Sequence, residues 1–334
     1  MKKIIYIGNN LFTSNPTTLL QLSTLLTVSG FEVVIYSSKK NKVLRLFAMC
    51  FGVLKHLNSA YLLIDTYSTF NFYYALIVSQ LARFFSIPYI PILHGGNLPT
   101  RLKLNPWFSK LIFKNSYQNV APSNYLLIEF QKKGFNTIFI PNTINIKNYE
   151  YKERNTVKPK LLWVRAFDKI YNPIMAIKVL YELKKAHPNA VLCMIGPDKD
   201  GSLKEVKELA KQYGVLDSVE FTGKLSKESW IEKSKGFTVF VNTTTIDNTP
   251  VSVIEAMALG LPVVSTNVGG IPYLIQHGKN GMLVENNNVV QMVAVIEKLL
   301  QSTEKIKKVT TNARKMVEEF DSVFVKQQWI NLLK

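Results

Sequence analysis

The sequence predicts an α/β protein built from two doubly wound, Rossmann-like domains in tandem. Three observations carry that expectation. Apolar runs of strand length alternate with apolar-periodic helical stretches, the pattern of a parallel sheet with crossover helices. The alternation stops in a charged, proline-containing stretch, YKERNTVKPK, and then restarts. A chain of 334 residues also exceeds what one hydrophobic core organises, so two domains of roughly 150 residues each are the natural division. The expected domains are 1–155 and 156–315, with strand C-termini from both sides facing a cleft between them.

The first half opens with KIIYIG (3–8), a short buried strand ended at Gly8. The polar loop NNLFTSNPTT leads into the helix LLQLSTLLTVSG, closed by Gly30 at the position where a left-handed residue ends a helix. FEVVIYS completes a βαβ unit. No G-x-G-x-x-G follows the first strand, which argues against a dinucleotide dehydrogenase. Strands recur at YLLID (61–65), PYIPILH (88–94) and QNVAPS (118–123), the last followed by the helix NYLLIEFQKKG. Residues 39–57, KKNKVLRLFAMCFGVLKHL, and 101–114, RLKLNPWFSKLIFK, set basic side chains beside large apolar ones at helical spacing. That pattern suits a helix lying in a membrane interface; it also suits a packed helix with snorkelling lysines.

In the second half KLLWV is a strand, and Asn172 and Pro173 cap a helix running to His187. AVLCMIG is a strand, and SLKEVKELAKQYG is a helix with Ser202 and Glu205 at capping-box spacing. VEFTG, SKESWIEKSKG, FTVFVN, an apolar helix with Pro250 in its first turn, and LPVVST continue the strand–helix alternation.

Composition narrows the function. The 47% hydrophobic and 19% charged content is that of a folded protein. Cys50 and Cys193 lie in apolar runs without metal-ligand spacing, as in a reduced interior. No apolar run reaches the ~18 residues of a membrane span, and the start is too short for a signal peptide, so a cytoplasmic location is expected. Of the net charge of +18, residues 1–150 carry +11, from 15 Lys and Arg against 4 Asp and Glu. A basic first half implies an anionic partner: nucleic acid, a phosphorylated substrate or anionic lipid.

The stretch TTTIDNTPVSVIEAMALGLPVV (243–264) holds the chemistry. FTVFVN delivers Asp247 to a strand end. Asn248 or Thr249 is placed to cap the next helix, and Pro250 suits its first turn. The free amides of that turn and the helix dipole make an anion site. Helical side chains tilt toward the N-terminus, so Glu255 reaches the same region, where a carboxylate can accept from the vicinal hydroxyls of a sugar. The plainer reading makes Asp247 a capping acid and Glu255 a solvated residue.

Asp247 and Glu255, eight positions apart before AMALGLPVV and TNVGGIP, resemble the donor-binding core of family 4 retaining glycosyltransferases of GT-B fold. VAPSNYLLIEFQKKGF with FIPNTIN, HPNAVLCMIGPD, VEFTGKLS and HGKNGMLV are similar to further family segments, in the family's order. The resemblance implies sugar transfer from a nucleotide diphosphate sugar to an acceptor hydroxyl with retention, without metal or cofactor. It implies that Arg165 and Lys169 bind the diphosphate, although no glycine precedes Arg165 or follows Lys169. Asp247 would contact the sugar, standing where the family usually has Glu. Asn248, Thr249, Pro250 and Val251 would give backbone contacts, Glu255 would hold ribose, and Gly269 and Gly270 would admit close backbone approach. His94, before Gly95 and Gly96, would line the cleft from an acceptor-binding first domain. Asn9, Asn10 and Ser14-Asn15-Pro16 replace the family's frequent Gly-Gly pair. Residues 316–334 would form a helix returning to the first domain.

The reading that follows is a glycosyltransferase peripheral to the inner face of the membrane, extending a lipid-linked saccharide in cell-surface polysaccharide or lipopolysaccharide synthesis. Alternatives are a nucleotide-sugar epimerase or phosphorylase on the same fold, an inactive scaffold, and a nucleic-acid-binding protein. No nucleic-acid motif accompanies the charge, so no nucleic-acid partner is expected. Asp198-Lys199-Asp200 spells D-x-D, a metal motif of the other glycosyltransferase fold, but falls in a loop where a charged surface turn is expected.

Overall fold

The computed structural model of the protein describes residues 1–10, 17–154 and 158–334. They form two compact units, Met1–Ile144 with Phe320–Lys334, and Asn145–Glu319.

The first unit runs β1 (Lys3–Ile7), α1 (Thr18–Thr27), β2 (Glu32–Tyr36), α2 (Lys42–Lys55), β3 (Tyr61–Thr66), α3 (Asn71–Phe84), β4 (Tyr89–Leu93), α4 (Leu98–Leu104), α5 (Pro106–Phe113), β5 (Asn119–Ala121), α6 (Asn124–Gln131) and β6 (Thr137–Phe139). The strands pair in parallel in the order β2-β1-β3-β4-β5-β6. Both faces of a parallel sheet are covered, so its strands are apolar throughout rather than alternating. Ile5, Ile7, Leu62 and Ile64 pack on one side with Val53, Phe72 and Val78. Ile4, Tyr6 and Leu63 pack on the other with Leu19, Leu26 and Trp329.

The second unit runs β7 (Lys160–Val164), α7 (Pro173–Ala186), β8 (Val191–Ile195), α8 (Ser202–Gln212), β9 (Val219–Gly223), α9 (Lys227–Ser234), β10 (Val239–Asn242), α10 (Val251–Ala258), β11 (Val263–Thr266), α11 (Ile271–Leu274), β12 (Met282–Val284), α12 (Val289–Leu300) and α13 (Thr303–Glu318). Its order is β12-β11-β10-β7-β8-β9, again parallel. Leu161, Trp163, Leu192, Met194, Val239 and Val264 form the core with α7 and α12. The last helix, α14 (Ser322–Leu333), belongs to the first unit and packs on α1.

Strand order reverses between β1 and β3 in the first unit and between β7 and β10 in the second. At such a switch point the loops part and leave a crevice outside the strand C-termini.

Four details differ from the expectation. The 155/156 boundary lies outside the described residues, and the division falls at 144/145. The reason is that Tyr149, Tyr151 and Arg154 are anchored in the second unit. Tyr151 bonds Thr310, and the Arg154 guanidinium donates to the carbonyls of Ser234, Lys235, Phe237 and Leu259. The chain leaves that unit after Glu319 rather than at 315, because α13 runs unbroken to Glu318. Residues 101–114 are two helices, α4 and α5, since Pro106 disfavours helical backbone at Asn105. The capping box at Ser202 does not form. Gly201 is the N-cap, and the Asp198 and Asp200 carboxylates accept from the amides of Gly201 and Ser202 instead.

Candidate active site

Thr243, Thr244 and Thr245 follow β10 and carry a run of hydrogen bonds. Thr243 Oγ1 donates to Tyr171 O at 2.8 Å, and Thr244 Oγ1 and Thr245 Oγ1 donate to Ile170 O. This fastens the loop after β10 to the single turn Lys169–Tyr171 that follows β7, across the switch point. Arg165, one residue past β7, lies against the Tyr171 ring at 4.6 Å, and its Nη2 donates to Asp247 Oδ2. Two of the sequence-predicted residues therefore meet in one ion pair. Burial raises the proton affinity of Asp247, opposed by Arg165 and by the Asn248 amide, which donates to Asp247 Oδ1 at 2.8 Å. Arg165 Nε is buried and has no partner among the described residues. A buried guanidinium donor left unmatched at a strand end is a group that a ligand oxygen would satisfy.

The α10 N-terminus differs in one respect from expectation. Its N-cap is Pro250 rather than Asn248 or Thr249, Pro250 makes no side-chain cap hydrogen bond, and the helix starts at Val251. Proline has no side-chain acceptor, so the Val251 and Ser252 amides receive no side-chain cap from it, while the Val253 amide donates to the Pro250 carbonyl at 3.1 Å. Ser252, absent from the sequence-based set, puts a buried hydroxyl without a partner among the described residues at the same turn. Gly269 and Gly270 do allow close backbone approach, but to the protein itself. Gly270 N donates to Asp247 O at 2.8 Å, and a Cβ at Gly270 would stand 2.0 Å from Asn248 O.

Glu255 is buried, not solvated. Its Oε1 accepts from Tyr149 Oη at 2.6 Å and lies 2.7 Å from Lys227 Nζ. Burial first, and the Glu255 carboxylate second, hold the Tyr149 hydroxyl well above its ordinary pKa, so it stays a donor. Tyr149 and Lys227 lie 106 and 28 positions from Glu255, and no local pattern announces either.

Lys169 is placed apart from this cluster. Its ammonium is exposed and 3.6 Å from Glu205 of α8. Asp198, Lys199 and Asp200 form the turn before α8; Asp200 Oδ2 accepts from the Lys169 amide, and Lys199 pairs with Asp168. Among the described residues no group of three His, Cys, Asp or Glu side chains is arranged to hold a metal.

In the first unit His94 follows β4 and is buried. Its Nε2 lies 3.0 Å from Asp65 Oδ1, which also accepts from Tyr6 Oη at 2.9 Å, and its ring stacks on Tyr67 at 4.9 Å. The register sets this contact: Thr66 pairs with Leu93, so Asp65 and His94 come off neighbouring strand ends. His94, Tyr6, Gln21, Asn142 and Thr143 line a concavity of about 360 Å³. Asp65 was missed by the sequence reading, although a lone acid at the end of an apolar strand is itself a signal. Asn9 Oδ1 accepts from Arg45, and the segment Ser14-Asn15-Pro16 lies outside the described residues.

Comparison with known proteins adds the family. The family described as "Glycosyl transferases group 1" matches residues 146–316, just over half of the chain. An uncharacterized glycosyltransferase of Haemophilus influenzae is 29% identical over 209 residues, 61% of this chain and 56% of its own length. The putative colanic acid biosynthesis glycosyltransferase WcaL of Salmonella typhimurium is 32% identical over 139 residues, 39% of this chain and 34% of its own. The matched regions thus span about half or less of these relatives. The crystal structure of Anabaena HepE in complex with UDP superposes with a TM-score of 0.79 at 18% identity, covering 100% of this chain and 99% of that one. The two parallel six-stranded sheets with flanking helices are those of the GT-B fold. The chain belongs to the glycosyl transferases group 1 family.

Proposed function

We propose that the protein is a glycosyltransferase that moves a sugar from a nucleotide diphosphate sugar to a hydroxyl of a saccharide acceptor. The observation that carries this reading is the cluster at the β7/β10 switch point: Arg165 with an unmatched buried donor, Asp247, and the proline-capped start of α10 with Glu255 on its second turn. Arg165 and the first-turn amides of α10 take the diphosphate, and Asn248, Thr249 and Val251 line its approach. Lys169 joins them by leaving Glu205, an exposed pairing worth little. Asp247 accepts from the transferred sugar and Glu255 from the ribose. As the bond from the anomeric carbon to the β-phosphate oxygen breaks and the bond to the acceptor oxygen forms, the leaving charge is met by preorganised donors. The departing phosphate takes the acceptor proton, the course that retains anomeric configuration. The scheme calls for no metal and no resident cofactor. His94, held by Asp65, serves the acceptor side.

The acceptor in this reading is lipid-linked, and the enzyme works at the inner face of a membrane in cell-surface polysaccharide synthesis; the WcaL relative is named for colanic acid biosynthesis. The α2 surface supports it: Leu44, Phe47, Phe51 and Leu54 are exposed on one stripe, beside Lys40, Lys42 and Lys55. The test is incubation of the full chain with UDP-, GDP- and ADP-sugars and membrane extract, following nucleoside diphosphate release and the anomeric configuration of product by NMR. Release from one donor class, abolished in Arg165→Ala, supports the reading; no release from any donor refutes it.

A further inference from the structure

The Glu255 contacts carry an inference about how the donor's ribose is read, and it rests on the function just proposed. Lys227 is the first residue of α9, directly after the N-cap Ser226. A cation there faces the positive end of the helix, an unfavourable placement. What it gains is Glu255. The ammonium lies 2.7 Å from Oε1, and the same oxygen accepts from Tyr149 Oη at 2.6 Å. With the Tyr149 hydrogen bond on it and the ammonium in ion-pair contact, Oε1 is occupied.

That changes what Glu255 can offer a nucleotide. A carboxylate alone holds a vicinal diol with one hydroxyl on each oxygen. Here only Oε2 remains for a hydroxyl, and no described residue occupies it. The lysine has three N–H donors, and its ion-pair contact with Oε1 engages one at most. Its side chain is 29% exposed while that of Glu255 is 5% exposed, so the ammonium stands on the solvent side of the pair.

We infer that Lys227 is a specificity-determining residue of the donor site: Glu255 Oε2 accepts from one ribose hydroxyl, and the Lys227 ammonium donates to the oxygen of the other. Ribose is then recognised by an acid–lysine pair rather than by a carboxylate alone. A purely structural lysine, neutralising a buried acid, would affect folding and leave sugar discrimination untouched.

The experiment is calorimetric titration of the full chain with UDP, GDP and ADP and with their 2′-deoxy and 3′-deoxy counterparts. Wild type, Lys227→Met and Lys227→Arg are compared, with melting temperatures recorded without nucleotide. Wild type is expected to disfavour both deoxy forms by about tenfold, the scale of one hydrogen bond to a charged group. Lys227→Met is expected to lose discrimination at one of the two hydroxyls and keep it at the other, and Lys227→Arg to retain both. Unchanged discrimination in Lys227→Met, or an equal loss of affinity for ribo and deoxy forms, overturns the inference while leaving the donor site standing. Failure of wild type to bind any of these nucleotides overturns the proposed function, and the inference with it.

Discussion

At Gly270 a Cβ would come within 2.0 Å of Asn248 O, and at Gly269 within 2.2 Å of Asp247 O, where the backbone also has φ of +54°. Backbone atoms cannot swing aside as a side chain can, so any larger residue displaces the loop that carries Asp247. Gly270→Ala should therefore destabilise by about 1–3 kcal/mol, the usual cost of overpacking, and weaken nucleotide binding as well. Gly236→Ala is the control, because its Cβ would meet Lys233 O at an ordinary 3.6 Å. Thermal melts of both variants check this; equal effects would contradict it. These two glycines were legible in the sequence as sites of close approach, though not what approaches them. Arg165 and Asp247 were also legible, Arg165 by family likeness and Asp247 as an acid between a strand and the helix that follows it. Their pairing was not, since which strands are neighbours depends on sheet order. Tyr149 and Lys227 gave no sign, because long-range contacts to Glu255 leave no periodic trace.

At the scale of elements, most strands and helices were readable from apolar runs because both faces of each parallel sheet are buried. KLLWV and VEFTG match β7 and β9 at both ends. The helices α3 and α12 passed unremarked in the sequence, and the three-residue β12 was visible only through family likeness. Capping was the least readable feature. Ser202 has the right spacing for a cap, yet the Asp198–Asp200 turn supplies the acceptors. Asp200 accepts from the Lys169 and Ser202 amides, and these bonds hold its carboxyl below the ordinary value. A carboxyl depressed in the folded state contributes stability above its unfolded pKa of about 4, and that contribution is lost as pH falls through the folded value. Asp200→Ala should thus melt below wild type at pH 7, with a gap that is steady down to about pH 5 and closes in more acid solution. A gap that stays constant to pH 3 or below would contradict the assignment.

For the whole molecule, charge is distributed so that residues 33–128 contain one carboxylate, Asp65, and it is buried. The surface of that region presents basic and apolar groups without exposed acids, and no helix among the described residues is long and apolar enough to cross a membrane. Binding to vesicles containing anionic lipid should follow, should weaken as salt rises, and should fall at least about tenfold in Phe47→Ser with Phe51→Ser, two buried aromatics' worth of transfer energy. Binding that ignores lipid charge, or that survives the double substitution, would remove the membrane from the account.

The proposed transfer requires a nucleotide diphosphate at the β7/β10 switch point. Its most direct measurement is calorimetric titration of the full chain with UDP, GDP and ADP, repeated on Arg165→Ala and Glu255→Ala. Saturable binding of one of the three is expected, weakened at least about tenfold by each substitution. Binding equally strong in both variants, or no binding to wild type, would contradict it.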